Sequence, residues 1–148
     1  VSDSPLEELM RSRALIQTQV AKEITGSPLW AGPEAMGPLD DLIDRHLKGR
    51  LRDPAVVEEV VGAFLGETLR KAVGARWEGT EDAPYLVLPD GRTLDPMRRA
   101  RERIASGRAA SLDAYLQAAL AFAADPAATD PAAARERGGM FRRRTRRS

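Results

Sequence analysis

At the head of three apolar-periodic stretches a residue able to cap a helix stands directly before a proline: Ser4-Pro5, Asp53-Pro54 and Asp95-Pro96. Proline's fixed φ and missing N–H suit the first helical position, and a preceding Ser or Asp oxygen can accept a free amide of the first turn. Each pair therefore predicts a helix start, and glycines 26, 74 and 107 predict the matching stops. Apolar residues at Leu6, Leu9, Met10, Ile16, Val20 and Ile24 mark the inner face of the first helix. A Gly- and Pro-rich loop around Trp30 follows. A shorter second helix is predicted over 38–48, with Leu39, Leu42, Ile43 and Leu47 inward and Gly49 as its stop.

The third helix is the predicted centre of the fold. Val57, Val61, Phe64, Leu65, Leu69, Ala72 and Val73 cover about half its circumference, too wide a stripe for one neighbour. Gly62 and Gly66 interrupt it, and each costs a helix about 1 kcal/mol against alanine. Close approach of another backbone is the expected compensation, in a packing notch. The β signal follows at once: 75–79 with Trp77, 85–88 in alternation, the turn dipeptide Asp90-Gly91, then 92–94. These segments predict a two- or three-stranded antiparallel meander covered by the third helix. A fourth helix, with Met97, Ala100 and Ile104 inward, and a fifth, capped by Ser111, complete an α+β fold of about five helices. Residues 1–124 are expected to form one compact domain, and the Ala/Pro then Arg-rich segment 125–148 a disordered tail.

Composition narrows the chemistry. The chain has 148 residues and no cysteine, which excludes disulfides, thiol catalysis and thiolate metal sites. No apolar run approaches membrane-spanning length, and Asp3, Glu7, Glu8, Arg11 and Arg13 interrupt any signal-type segment, so a cytoplasmic protein is expected. Of 23 basic and 22 acidic residues, 131–148 hold seven and one, leaving sixteen and twenty-one in a mildly acidic body. The scarcity of lysine and wealth of alanine and arginine fit a GC-rich bacterial genome.

The motifs of catalysis are missing. His46 is the single histidine, without a second histidine to share a metal, and Asp40, Asp41 and Asp44 lack the spacing of a calcium loop. There is no Gly-x-Ser-x-Gly and no Gly-rich phosphate loop. The pairs Glu58-Glu59 and Glu81-Asp82 read as ordinary solvated surface. No catalytic residue, metal or cofactor is assigned. Arg98, Arg99, Arg101 and Arg103 make the fourth helix basic, suited either to a polyanion or acidic protein, or, the favoured reading, to a solvated face paired with the acidic body. Arg142, Arg143, Arg144, Arg146 and Arg147 form a polyanion-binding cluster in the tail.

Gly62-Ala-Phe-Leu-Gly66-Glu67-Thr-Leu, Gly74, Trp77, Leu88-Pro-Asp-Gly-Arg92, Asp95-Pro96-Met97 and Arg103-Ile104 together resemble an uncharacterised bacterial, actinobacterial-type domain family of unknown function. The resemblance covers 56–120 and departs from the family pattern at Met97 and Glu102. It implies a compact α+β domain with no established activity. It also directs attention to Glu67, Trp77, Arg99 and Arg103 as one partner-binding patch, against the plainer reading of Trp77 as a core anchor and Glu67 as merely exposed. A non-enzymatic protein-interaction module (adaptor, small chaperone or immunity-type protein) is the leading expectation. A nucleic-acid-associated protein working through the tail is second, and an enzyme of unrecognised type third.

Overall fold

The computed structural model describes residues 4–47 and 53–136. Within them the helices are α1 (Pro5–Thr25), α2 (Met36–Leu42, extended by a π-type turn Ile43–Leu47), α3 (Pro54–Val73), α4 (Pro96–Ser106) and α5 (Leu112–Ala124). Strands β1 (Arg76–Gly79), β2 (Pro84–Val87) and β3 (Thr93–Leu94) lie between α3 and α4 as an antiparallel sheet of order β1-β2-β3. The α+β architecture, with its three-stranded meander after the third helix, is the one the sequence predicts.

Local chemistry sets the helix ends. Ser4 Oγ accepts the Glu7 amide at 3.2 Å, Asp95 Oδ1 that of Arg98 at 3.0 Å, and Ser111 Oγ that of Ala114 at 3.0 Å. Gly26 and Gly74 close α1 and α3 with φ of +88° and +72°, a conformation that excludes most side chains. Asp53 departs from the pattern. Pro54 does begin α3, but the Asp53 side chain makes no capping bond.

Helix α3 is buried on every side from 60 to 69, enclosed by α1, α4, α5 and the sheet. Cross-strand register aligns Trp77 with Leu86 and Leu86 with Leu94, and this buried row forms the inner face of the sheet. The glycine notch is real: at Gly62 it admits both the Met97 side chain and the α4 backbone at the Met97 Cα, whereas at Gly66 it receives a side chain, the Trp77 ring.

Three expectations change. The buried face of α1 is Met10, Ala14, Gln17, Thr18 and Ala21, whereas Ile16 is half exposed. Small residues on that stripe let α1 come close to α3, and the hydroxyl of Thr18 is satisfied by the Ala14 carbonyl one turn back. On α4, Arg98 and Arg101 are exposed as expected, but Arg99 and Arg103 are buried alongside Met97 and Ala100, so only half of its basic residues lie on a solvated face. Finally, contacts with the body continue past Ala124. Residues 125–136 return across the body, with Pro131 buried in a 3-10 turn and the Glu136 amide donating to the Ala109 carbonyl at 3.1 Å. Lys48, Gly49 and the tail arginines Arg142, Arg143, Arg144, Arg146 and Arg147 lie outside the described residues.

Candidate functional site

Helix α2 brings its three aspartates to the end of α4, where arginines meet them. Asp40 is fully buried. Its carboxylate accepts Arg103 Nε at 2.7 Å and, at 3.1 Å each, the amides of Leu112 and Asp113 at the start of α5. Arg103 Nη2 also donates to the Asp40 carbonyl at 3.1 Å and to Asp44 Oδ1 at 2.7 Å. Arg108 spans Asp44, Asp41 and Glu136 from the other side. Buried charges persist only when paired and hydrogen-bonded; this network pairs each of its buried charges, leaving Arg103 Nη1 alone without a hydrogen bond among its buried Arg and Asp atoms, and it places an anion at a helix N-terminus. The aspartates that sequence alone offers as weak cation ligands are therefore engaged by arginine. Among the described residues, no group of three or more His, Asp or Glu side chains is arranged to hold a metal. His46 sits half buried on the turn that follows α2.

Burial alone would raise the Asp44 carboxyl. Hydrogen bonds from Arg103 and Arg108, with their charges, outweigh it and hold the group below its ordinary 3.8. A carboxylate with a depressed folded value contributes stability that is present above the unfolded pKa and lost as pH falls through the folded one. The stability gap between wild type and Asp44→Asn, measured as a urea midpoint, is thus expected to be widest near about pH 7 and to shrink below about pH 4. A gap independent of pH would remove the ion pair as its cause.

Arg99 is also buried, but it faces main chain. Its Nη2 donates to the carbonyls of Pro131, Ala132 and Ala134 at 3.3, 3.3 and 2.9 Å, and Nη1 donates to that of Ser111 at 3.4 Å. The guanidinium lies 5.0 Å over the Tyr115 ring. Desolvation pulls the Arg99 pKa down, against the opposing pull of Glu102.

Glu67 and Trp77 do meet. The indole Nε1–H donates to Glu67 Oε2 at 2.9 Å, and Arg70 grips the same carboxylate through Nε and Nη2 at 2.9 and 3.2 Å. Both Glu67 and Trp77 are buried, so Glu67 is not the exposed acid expected, and Trp77 is a core anchor. The proposed patch of Glu67, Trp77, Arg99 and Arg103 is thereby corrected. Its residues form three separate internal clusters, and burial withholds all four side chains from a partner.

Among the described residues, two open clefts of similar size flank the body: one of about 800 Å³ between α5 and residues 129–136, and one of about 740 Å³ between the start of α3, the β1–β2 turn and α4. The second is the more strongly charged. Glu58, Glu59, Glu81, Asp82 and Asp95 line it against two cations, Arg13 and Arg101, with Tyr85, Leu94 and Met97 as apolar lining. Arg13 lies 3.8 Å from Glu59, which leaves the balance acidic. The two carboxylate pairs dismissed as ordinary surface are thus brought together. Nothing in their local sequence signals it, because only the folding of the meander against α3 joins them.

Comparison of the chain with protein-family models, with characterised proteins and with solved structures finds no match. The Gly66-Glu67…Trp77…Asp95-Pro96…Arg103 pattern is accounted for here by contacts inside the fold. Gly66 makes room for the indole, Glu67 accepts a hydrogen bond from its N–H, Asp95 caps α4 and Arg103 ties α4 to α2.

Proposed function

We propose that this chain is a non-enzymatic protein-interaction module whose cleft receives a basic segment of its partner. The observation that carries this reading is the cleft itself, lined by five carboxylates and two guanidinium groups. A concave acidic surface raises the local concentration of cationic groups and repels polyanions. Tyr85, about 38% exposed, adds an amphipathic anchor of the type enriched in protein interfaces. The adaptor and immunity-type forms of the reading suit a single charged partner. A small chaperone would want a broad apolar surface, and Tyr85 alone among the exposed large apolar side chains of the described residues lines the cleft. The nucleic-acid alternative rests, as before, on the tail arginines Arg142, Arg143, Arg144, Arg146 and Arg147, and the burial of Arg99 and Arg103 adds nothing to it.

The test is titration of the full chain with a labelled arginine-rich peptide and with a glutamate-rich control. The arginine peptide is expected to bind and to weaken as salt rises. Combining Glu58→Lys with Glu81→Lys is expected to cut affinity about tenfold or more, by reversing two of the five acidic charges. Unchanged affinity in that variant would locate binding elsewhere.

A further inference from the structure

The wall formed by Thr93, Leu94 and Asp95 has a second side. Behind it lies a small polar cavity of about 120 Å³, lined by the same three residues together with Arg99, Tyr115 and the returning segment's Asp130 and Ala132. Arg99 links these parts. Its guanidinium gathers three carbonyls of the returning segment and covers the Tyr115 ring, and the Tyr115 hydroxyl accepts the Asp95 amide at 3.2 Å. A continuous series of contacts therefore runs from 131–134 through Arg99 and Tyr115 to Asp95, which lines the cleft and caps α4.

The attachment of 125–136 has the character of a strap. Of these twelve residues only Pro131 is buried, so little apolar area holds the segment down. The rest of its hold is polar: Arg99 on three carbonyls, Arg108 on Glu136 at 3.2 Å, and the Glu136 amide on Ala109. The clasp is also imperfectly matched. Arg99 Nε is buried without a hydrogen-bond partner and points toward Glu102 Oε1 at 3.5 Å, a charge contact without a hydrogen bond.

We infer that residues 125–136 are a regulatory strap: clasped by Arg99, it supports the rear wall of the cleft and holds the cleft in its binding-competent form, so that releasing the strap weakens capture of a basic segment. This rests on the cleft being the binding site. The two states are strap on and strap off, and only the first braces Tyr115 against Asp95.

The experiment uses the full chain, an arginine-rich peptide and amide hydrogen exchange. Two variants approach the clasp from opposite sides: Arg99→Gln on α4 and Pro131→Gly on the strap, the second serving should the first fail to fold. In both, faster exchange is expected at the amides of Ala132, Ala133, Ala134 and Glu136, with peptide affinity falling about five- to tenfold. Faster strap exchange with unchanged affinity overturns the coupling and leaves the cleft reading intact. Unchanged strap exchange in both variants overturns the clasp. A wild-type chain that binds no arginine peptide overturns the cleft reading and this inference with it, a result distinguishable because it appears before any substitution is made.

Discussion

Replacing Asp40 by leucine is expected to destabilise the fold by about 3–5 kcal/mol, the usual cost of removing one partner from a buried ion pair. The size follows from what one carboxylate does. It is the partner of Arg103 Nε and the acceptor for two amides at the start of α5, joining α2, α4 and α5. Its loss leaves a fully buried guanidinium with only the Asp40 main-chain carbonyl and Asp44, and it frees two helix N-terminal donors. For a chain of this length the change corresponds to a melting temperature lower by roughly 6–20 °C. The informative comparison is the double variant Asp40→Leu with Arg103→Met. Replacing both charges by apolar groups removes the stranded cation, so the double variant is expected to be at least as stable as Asp40→Leu alone, although a second native side chain is gone. Additive losses in urea denaturation would mean that the two residues act independently, against the geometry.

This network also marks where sequence reading stops. Helix starts, stops and the meander are local properties: a capping oxygen before proline, a glycine beyond the last turn, Asp-Gly between alternating residues. The glycine notch at Gly62 and Gly66 was legible because glycine inside a helix needs a reason. Arg99 and Arg103 were not, since a buried arginine on a basic helix looks like an exposed one until its partner is known. The partner of Arg103 lies 63 residues away on a helix whose own aspartates look solvated. The course of residues 125–136 over the body was not legible for a related cause. Much of their hold on the body is made through their backbone carbonyls, gathered by Arg99, and main-chain acceptors leave no mark on composition. The cleft escaped notice because each of its carboxylate pairs is ordinary by itself and only tertiary structure sums them.

The second large effect concerns Gly66, where helix propensity and packing oppose each other. Alanine in place of glycine inside an exposed helix would gain about 1 kcal/mol. At Gly66 an added Cβ would lie 2.2 Å from both Cη2 and Cζ2 of Trp77 and 3.3 Å from Pro96 Cγ. The indole cannot turn aside freely, because its Nε1–H is held by Glu67 and its ring is buried on the inner face of the sheet. Overpacking of this kind costs about 1–3 kcal/mol, occasionally more, and Gly66→Ala is expected to lie at the upper end. Gly62→Ala should be milder, since its closest new contacts, at 2.6 and 2.9 Å, are with the flexible end of Met97, although the Met97 Cα at 3.2 Å keeps it from being free. Gly37→Ala on α2 meets nothing within 4 Å and should stabilise by up to about 1 kcal/mol. The decisive pair is Gly66→Ala with Trp77→Phe. Phenylalanine lacks the outer ring carbons that the new Cβ would strike. Trp77→Phe should therefore be costly alone, by lost packing and a lost donor to Glu67, yet should make Gly66→Ala nearly harmless when the two are combined. A coupling energy of about 2–3 kcal/mol in that direction, read from urea denaturation of the four proteins, is the expected result. Strict additivity would mean that the glycine is there for some reason other than the indole lying on it.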